Sequence, residues 1–245
     1  MSKLRKLNRD EIKYIAVFAM MLNHISAVFL QKGTFLGELL LDIGYFTAPV
    51  MIYFLVEGYF YTRSRKKYAL RLFLFGLISQ IPFYLALSPD GRFPGMLNMM
   101  FSLFFCFLIM EVTMQIHNGA LKFIFYLLLI LILSFCDWPT MSFVYTFLFA
   151  DAYGSKTRLK KAFVIATILF MIPLYMTNRM YFGVGKAFLL TGGSALGVLA
   201  AGFTLVYLYN GEKGGTESAF SKWFFYLFYP VHLLVIGLIR VFFNV

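Results

Sequence analysis

An all-α, polytopic integral-membrane bundle is the fold class this sequence predicts, and three observations predict it. Hydrophobic residues fill 61% of the 245 positions and charged ones 13%, against about 45–50% and about 25% in an ordinary soluble domain. Mean hydropathy is +0.78, and 31 phenylalanines exceed what a water-facing surface can carry. The basic residues, which set a net charge of +11, fall in short blocks between apolar stretches. Such blocks orient crossings in a bilayer, whereas nucleic-acid binding asks for one folded cationic face. Lipid is therefore the expected partner, and nucleic acid is not.

Taken in order, the chain reads as one domain over 1–245 with about nine crossings and a cytoplasmic N-terminus. Residues 1–11 form a basic tail. The first crossing, about Ile12 to Leu30, carries Asn23-His24 and lacks an A-x-A cleavage site, so it is expected to be retained. The second, about Phe35 to Tyr61, carries Asp42 and Glu57. The third, about Ala69 to Leu87, holds Gln80 and Pro82, and the proline is expected to kink it. A Pro/Gly loop over Ser88 to Gly95 follows. Further crossings cover about Met96–Met114, Leu121–Phe135, Pro139–Tyr153, Ala162–Met176, Ala187–Tyr209 and Trp223–Phe243. With this map, 17 of the 22 basic residues lie on the inner side, as the positive-inside rule requires. The Gly192-Gly193-Ser194-Ala195-Leu196-Gly197 run suits close helix packing in lipid. Cys106 and Cys136 sit in different segments without metal-ligand spacing, and no metal is expected.

Ionisable groups inside a membrane are costly and mark sites. His24 is the thirteenth residue of its crossing, which places it about 18 Å from the inner edge at the helical rise. His232 lies ten residues past Lys222, at about 15 Å. Both fall near the middle of a hydrocarbon layer about 30 Å thick. Two imidazoles at matched depth suit a general base with a general acid, or a base with a transient acyl carrier; bonding to neighbouring helices is the plainer alternative. Glu57 either orients an imidazole, pairs with a basic residue, or reaches interfacial water. Asn23 points about 100° from His24 and is expected to bond another helix. Gln80, Asn98 and Tyr229 are candidate supporting or cavity-lining groups. The block Arg63, Arg65, Lys66, Lys67 with Arg71 either orients the chain and holds anionic lipid or captures phosphates.

Several stretches resemble the TraX family of membrane proteins linked to N-terminal acetylation of the conjugative pilin. They are Ala19-Met-Met-Leu-Asn-His-Ile25, Leu55-Val-Glu-Gly58, Thr62-Arg-Ser-Arg-Lys-Lys-Tyr68 with Arg71-Leu72, Ser79-Gln-Ile-Pro-Phe83, Leu97-Asn98, and Phe225-Tyr-Leu-Phe-Tyr-Pro-Val-His-Leu233. The resemblance implies a multi-pass acetyltransferase of the bacterial cytoplasmic membrane with acetyl-coenzyme A as co-substrate and a peptide N-terminus or other amine (less favoured, a hydroxyl) as acceptor. His24, His232 and Glu57 would then be catalytic, and Arg63, Arg65, Lys66, Lys67, Arg71 and Lys222 would hold the phosphates. Two positions depart from the family's pattern: it usually has Asp-His at Asn23-His24 and Gly-Arg at Gly44-Tyr45, as if one ion pair had been replaced at both ends. A proton-coupled transporter or flippase, and a non-catalytic membrane assembly protein with a degenerate site, are the alternative readings.

Overall fold

In the computed structural model, residues 6–88, 95–214 and 219–243 are described, without the side chains of 219–222. Among the described residues every regular element is helical, and only two isolated bridges, Leu7 with Tyr209 and Leu97 with Cys136, tie extended segments together. The helices are α1 (Arg9–Phe29), α2 (Phe35–Gly44), α3 (Thr47–Tyr61), α4 (Arg65–Leu87), α5 (Met99–Gln115), α6 (Gly119–Leu133), α7 (Met141–Ala152), α8 (Lys156–Tyr181), α9 (Val184–Phe203) and α10 (Ala219–Phe243). One π turn, Thr204–Leu208, extends α9.

Six segments are long and apolar enough to cross a membrane: Arg9–Phe29, Phe35–Tyr61, Arg65–Leu87, Lys156–Tyr181, Val184–Leu208 and Trp223–Phe243. The three other crossings expected from sequence correspond to α5, α6 and α7, of 17, 15 and 12 residues. Each is shorter than the roughly 20 residues a straight crossing needs. Their ends are fixed locally. Asn98 accepts from the Met100 N–H at 2.9 Å and starts α5, Asn118 caps α6 through the Leu121 N–H at 3.0 Å, and α7 stops before Gly154 (φ 78°). The expected loop over Ser88 to Gly95 falls mostly on 89–94, outside the described residues.

The start of α1 is a capping box. The Asn8 side chain accepts from the Glu11 N–H at 3.0 Å, and the Glu11 carboxylate accepts from the Asn8 N–H at 2.8 Å, satisfying two of the helix's orphan donors. The second expected crossing is not one helix but two. Pro49, in the first turn of α3, has no N–H to give the Tyr45 carbonyl and crowds it, and the chain breaks between Gly44 and Thr47. Gly44 permits α2 to lie directly on Asn23 of α1, where a Cβ would collide with that side chain. The glycines of α9 do the same for α2: Gly193 faces the Asp42 carboxylate and Gly197 its backbone carbonyl. Ser194 adds a hydroxyl bond to Asp42 Oδ1 at 2.8 Å.

The core runs through α1, α3, α4, α5, α7 and α10, with Tyr59, Phe83, Phe107, Tyr145 and Phe149 fully buried. Large apolar side chains also cover the outside, such as Phe35 at 85%, Ile81 at 68% and Phe242 at 81% exposure. That surface is costly in water and matched to hydrocarbon. The chain is a multi-pass membrane protein.

Candidate active site

The two mid-membrane imidazoles meet. His24 of α1 and His232 of α10 are both buried, their rings stack at 5.1 Å and 13°, and His24 Nδ1 lies 2.8 Å from His232 Nε2. The direction of that bond follows from its neighbour. His232 Nδ1 is 2.8 Å from the Phe228 carbonyl one turn earlier, and a carbonyl can only accept, so His232 Nδ1 carries a proton. In the neutral pair His232 Nε2 is then an acceptor, and His24 Nδ1 must donate to it. The remaining nitrogen, His24 Nε2, keeps its lone pair and has no hydrogen-bond partner among the described residues. The Phe228 ring stacks on His232 at 5.0 Å and Tyr229 meets it edge-on at 5.7 Å, which locks the imidazole's orientation.

His24 opens on a cavity of about 760 Å³ that also exposes Asn23, Tyr45, Met51, Asp137 and Tyr229. His232 stands behind His24, outside the lining. One end of the cavity is cationic, with Arg9, Lys13, Arg71 and Lys213 in its wall. Lys13 Nζ lies over the Phe54 and Phe225 rings (5.7 and 5.2 Å) and Arg71 over those of Tyr68 and Tyr226 (5.5 and 6.0 Å). The Nε atoms of Arg9 and Arg71 are buried without a hydrogen-bond partner among the described residues. Unpaired buried guanidinium donors are costly, and an anionic group entering this end would satisfy them.

Of the residues expected to hold phosphate, only Arg71 lines the cavity. Arg63, Arg65, Lys66 and Lys67 are exposed. Arg65 is spent on Glu111 at 3.8 Å and on the Tyr59 ring at 4.3 Å. The Lys222 side chain lies outside the described ones. Three cations that the sequence reading assigned only to orientation, Arg9, Lys13 and Lys213, line the cavity with Arg71. For α1 the signal was present: Arg9, Lys13, Val17, Met20, His24 and Ala27 recur at three- and four-residue steps, one helical face, and all six line the cavity.

Glu57 does not reach the imidazoles as a hydrogen-bond partner. Both its oxygens accept from the Tyr209 hydroxyl, at 2.9 and 3.0 Å, and it sits in the field of Arg9, Lys13 and Lys213. It joins α3 to the segment after α9 near the cationic end. Asn23 bonds another helix: its Nδ2 donates to the Leu41 carbonyl at 3.1 Å. The same carbonyl accepts from the Tyr45 N–H at 3.2 Å, so Asn23 and Tyr45 share an anchor. Gln80 and Asn98 do not line the cavity. They clamp α4 to α5, Asn98 Nδ2 giving to Gln80 Oε1 at 2.6 Å or the Gly76 carbonyl at 2.7 Å, and Gln80 Nε2 to the Met96 carbonyl at 2.9 Å. Tyr229 does line it, its hydroxyl accepting from the Met99 N–H at 3.1 Å.

The opposite end of the cavity is formed by the α6–α7 connection, through Asp137 and Trp138, which no sequence motif singled out. Trp138 and Thr140 have φ of 60° and 59°, a conformation that costs about 1–3 kcal/mol per non-glycine residue. Surrounding bonds impose it. The Asp137 N–H donates to Leu97 at 2.7 Å, Ser102 donates to the Asp137 carbonyl at 2.5 Å, and Ser142 to the Trp138 carbonyl at 2.5 Å. Burial pushes the Asp137 carboxyl up to about 6, against a Trp138 backbone N–H that favours the charged form.

The family described as TraX protein matches residues 8–240. The probable fimbrial assembly protein FimC, serogroup H1, of Dichelobacter nodosus is 31% identical over 250 residues, covering 96% of this chain and 97% of that protein. No solved structure matches the chain. The match spans α1 to α10 and both histidines, and on it the chain belongs to the TraX family.

Proposed function

We propose that the chain is an integral-membrane acetyltransferase that moves the acetyl group of acetyl-coenzyme A to an amine, of the kind a peptide N-terminus presents. One observation carries the reading: His24, with a free ring nitrogen held in place by His232, stands in a single cavity whose far wall is cationic. Arg9, Lys13, Arg71 and Lys213 would hold the nucleotide's phosphates, and the cavity would admit the thioester arm to His24. His24 Nε2 takes a proton from the acceptor nitrogen. That nitrogen bonds to the acetyl carbon as the carbon–sulfur bond breaks, and the proton passes from His24 to the departing thiolate. His232 accepts the His24 Nδ1–H throughout, so the positive charge on His24 is shared along a chain ending at the Phe228 carbonyl. His232 acts as a positioning residue, Glu57 as a strut of the cationic end.

In this reading the N-terminus and cationic end face the cytoplasm of a bacterium, and the three short helices complete nine crossings by tilting or by local thinning of the bilayer. The fimbrial relative favours one further reading, a non-catalytic assembly factor for a surface fibre, in which the replaced pair at Asn23 and Tyr45 marks a degenerate site.

Purified protein in nanodiscs, given radiolabelled acetyl-coenzyme A and an amine-bearing peptide, separates the two. Acetyl-coenzyme A binding with transfer or slow hydrolysis that disappears in His24→Ala is expected. Wild-type protein that neither binds nor consumes the thioester sinks the enzyme and leaves the assembly factor.

A further inference from the structure

The end of the cavity remote from the four cations has the opposite character. Asp137 is the carboxylate in its wall there, and among the described residues no lysine, arginine or histidine nitrogen lies within salt-bridge distance of it. The other lining carboxylate, Asp10, belongs to the cationic end, 4.0 Å from Arg9. Beside Asp137 stands Trp138, stacked on Phe170 at 5.5 Å and 10°, with Tyr45 edge-on to both at 5.8 and 5.1 Å. A carboxylate with no cation, set against indole and phenol rings, lacks one thing: a positive charge of small radius. The backbone bonds that hold Asp137 and Trp138 in their strained turn keep both side chains at the cavity without help from a ligand.

We propose that Asp137, Trp138 and Tyr45 form a subsite for an organic cation of the primary-ammonium class. Under the acetyltransferase reading, on which the catalytic meaning of this site rests, it receives the acceptor as its ammonium and holds it on the side of His24 opposite the thioester's entry; the ammonium gives one proton to the Asp137 carboxylate, which returns it to water after turnover, and the neutral amine so formed has the lone pair that attacks while His24 takes its next proton. Like charge at the mouth keeps the ammonium out of the phosphate site, so the two reactants sort to opposite ends of one cavity.

The full-length protein carries two tryptophans, so in a Trp223→Phe background the fluorescence of Trp138 reports this site alone. Titration with n-butylammonium is expected to give a saturable change that 1-butanol, its neutral analogue, does not. Asp137→Asn, which keeps the volume and the acceptor for the Trp138 N–H, should weaken that binding about tenfold or more, the ordinary worth of a charge-assisted contact. The same binding should persist in His24→Ala, where transfer is lost. Equal responses to the ammonium and the alcohol, no saturable response, or Asp137→Asn binding as tightly as the parent overturns the subsite. Should Asp137→Asn fail to fold, the ammonium–alcohol comparison decides alone. Cation binding without acetyl transfer would sink the enzyme reading and leave the subsite; transfer without selective cation binding would do the reverse.

Discussion

At the scale of single residues the chemistry turns on which nitrogen holds which proton. Two histidines facing each other could share a proton in either direction, but in the neutral pair the Phe228 carbonyl allows only one arrangement, with the lone pair left on His24 Nε2. The consequence is an unequal pair. Under the proposed acetyl transfer, replacing His24 with alanine removes the group that would meet the acceptor and should cost about 10²- to 10⁴-fold in turnover, measured as acetylated peptide per unit time. His232→Ala should also lose most of the rate, because the His24 ring loses its anchor. His232→Gln offers an amide oxygen in place of Nε2 and should recover a substantial part of it. If glutamine and alanine at 232 behave alike, or if both match the parent, the positioning role is wrong. The depth of the histidines was legible in the sequence because a helix converts residue number into distance. That they touch was not, since it depends on how α1 and α10 cross. Asp137 and Trp138 were invisible for a related reason: a loop has no periodicity, and its direction here comes from contacts with Leu97, Ser102 and Ser142.

At the scale of elements, the break between α2 and α3 gives the cavity its inner wall. An unbroken helix over Phe35–Tyr61 would hold Leu41 and Met51 on a fixed register, whereas the break lets α2 press on Asn23 while α3 lines the cavity with Ala48, Met51 and Leu55. Gly44→Ala tests the contact. Alanine in a helix is favoured over glycine by about 0.5–1 kcal/mol, but here its Cβ would run into the Asn23 side chain, and overpacking of this kind costs about 1–3 kcal/mol. The clash wins, so a lower thermal unfolding midpoint is expected, and in an Asn23→Gly background, which removes the Cβ that the new methyl group meets first, Gly44→Ala should cost far less. Equal effects of Gly44→Ala with and without Asn23 would show that the two residues do not meet. Pro49 was a visible marker of this break, and the sequence reading passed over it because the apolar run continues through it. The nine apolar segments themselves were legible, while the shortness of α5, α6 and α7 was set by caps and turns that hydropathy does not weigh.

At the scale of the molecule, the cavity's charge is unevenly distributed, with Arg9, Lys13, Arg71 and Lys213 gathered in its wall. The basic block after α3 is the more conspicuous feature of the sequence, yet Arg63, Arg65, Lys66 and Lys67 face outward, as residues that orient a chain and meet anionic lipid do. The four cations that face inward come from three separate places, α1, α4 and the segment before α10, and only the folded bundle brings them together. Two charge reversals therefore separate the roles. Arg71→Glu places a carboxylate in the cavity wall that also holds Arg9, Lys13 and Lys213 and should raise the Kd for coenzyme A by about tenfold or more, with the parent's affinity falling as salt rises. Reversal of Arg63, Lys66 and Lys67 together should leave that Kd within about twofold once the protein is reconstituted, because exposed charges are screened over about a Debye length, while altering insertion or yield. Calorimetric titration of both variants reads the difference directly. A Kd moved more by the surface triple than by Arg71→Glu would return the phosphate site to the outer block and separate it from the cavity that His24 serves.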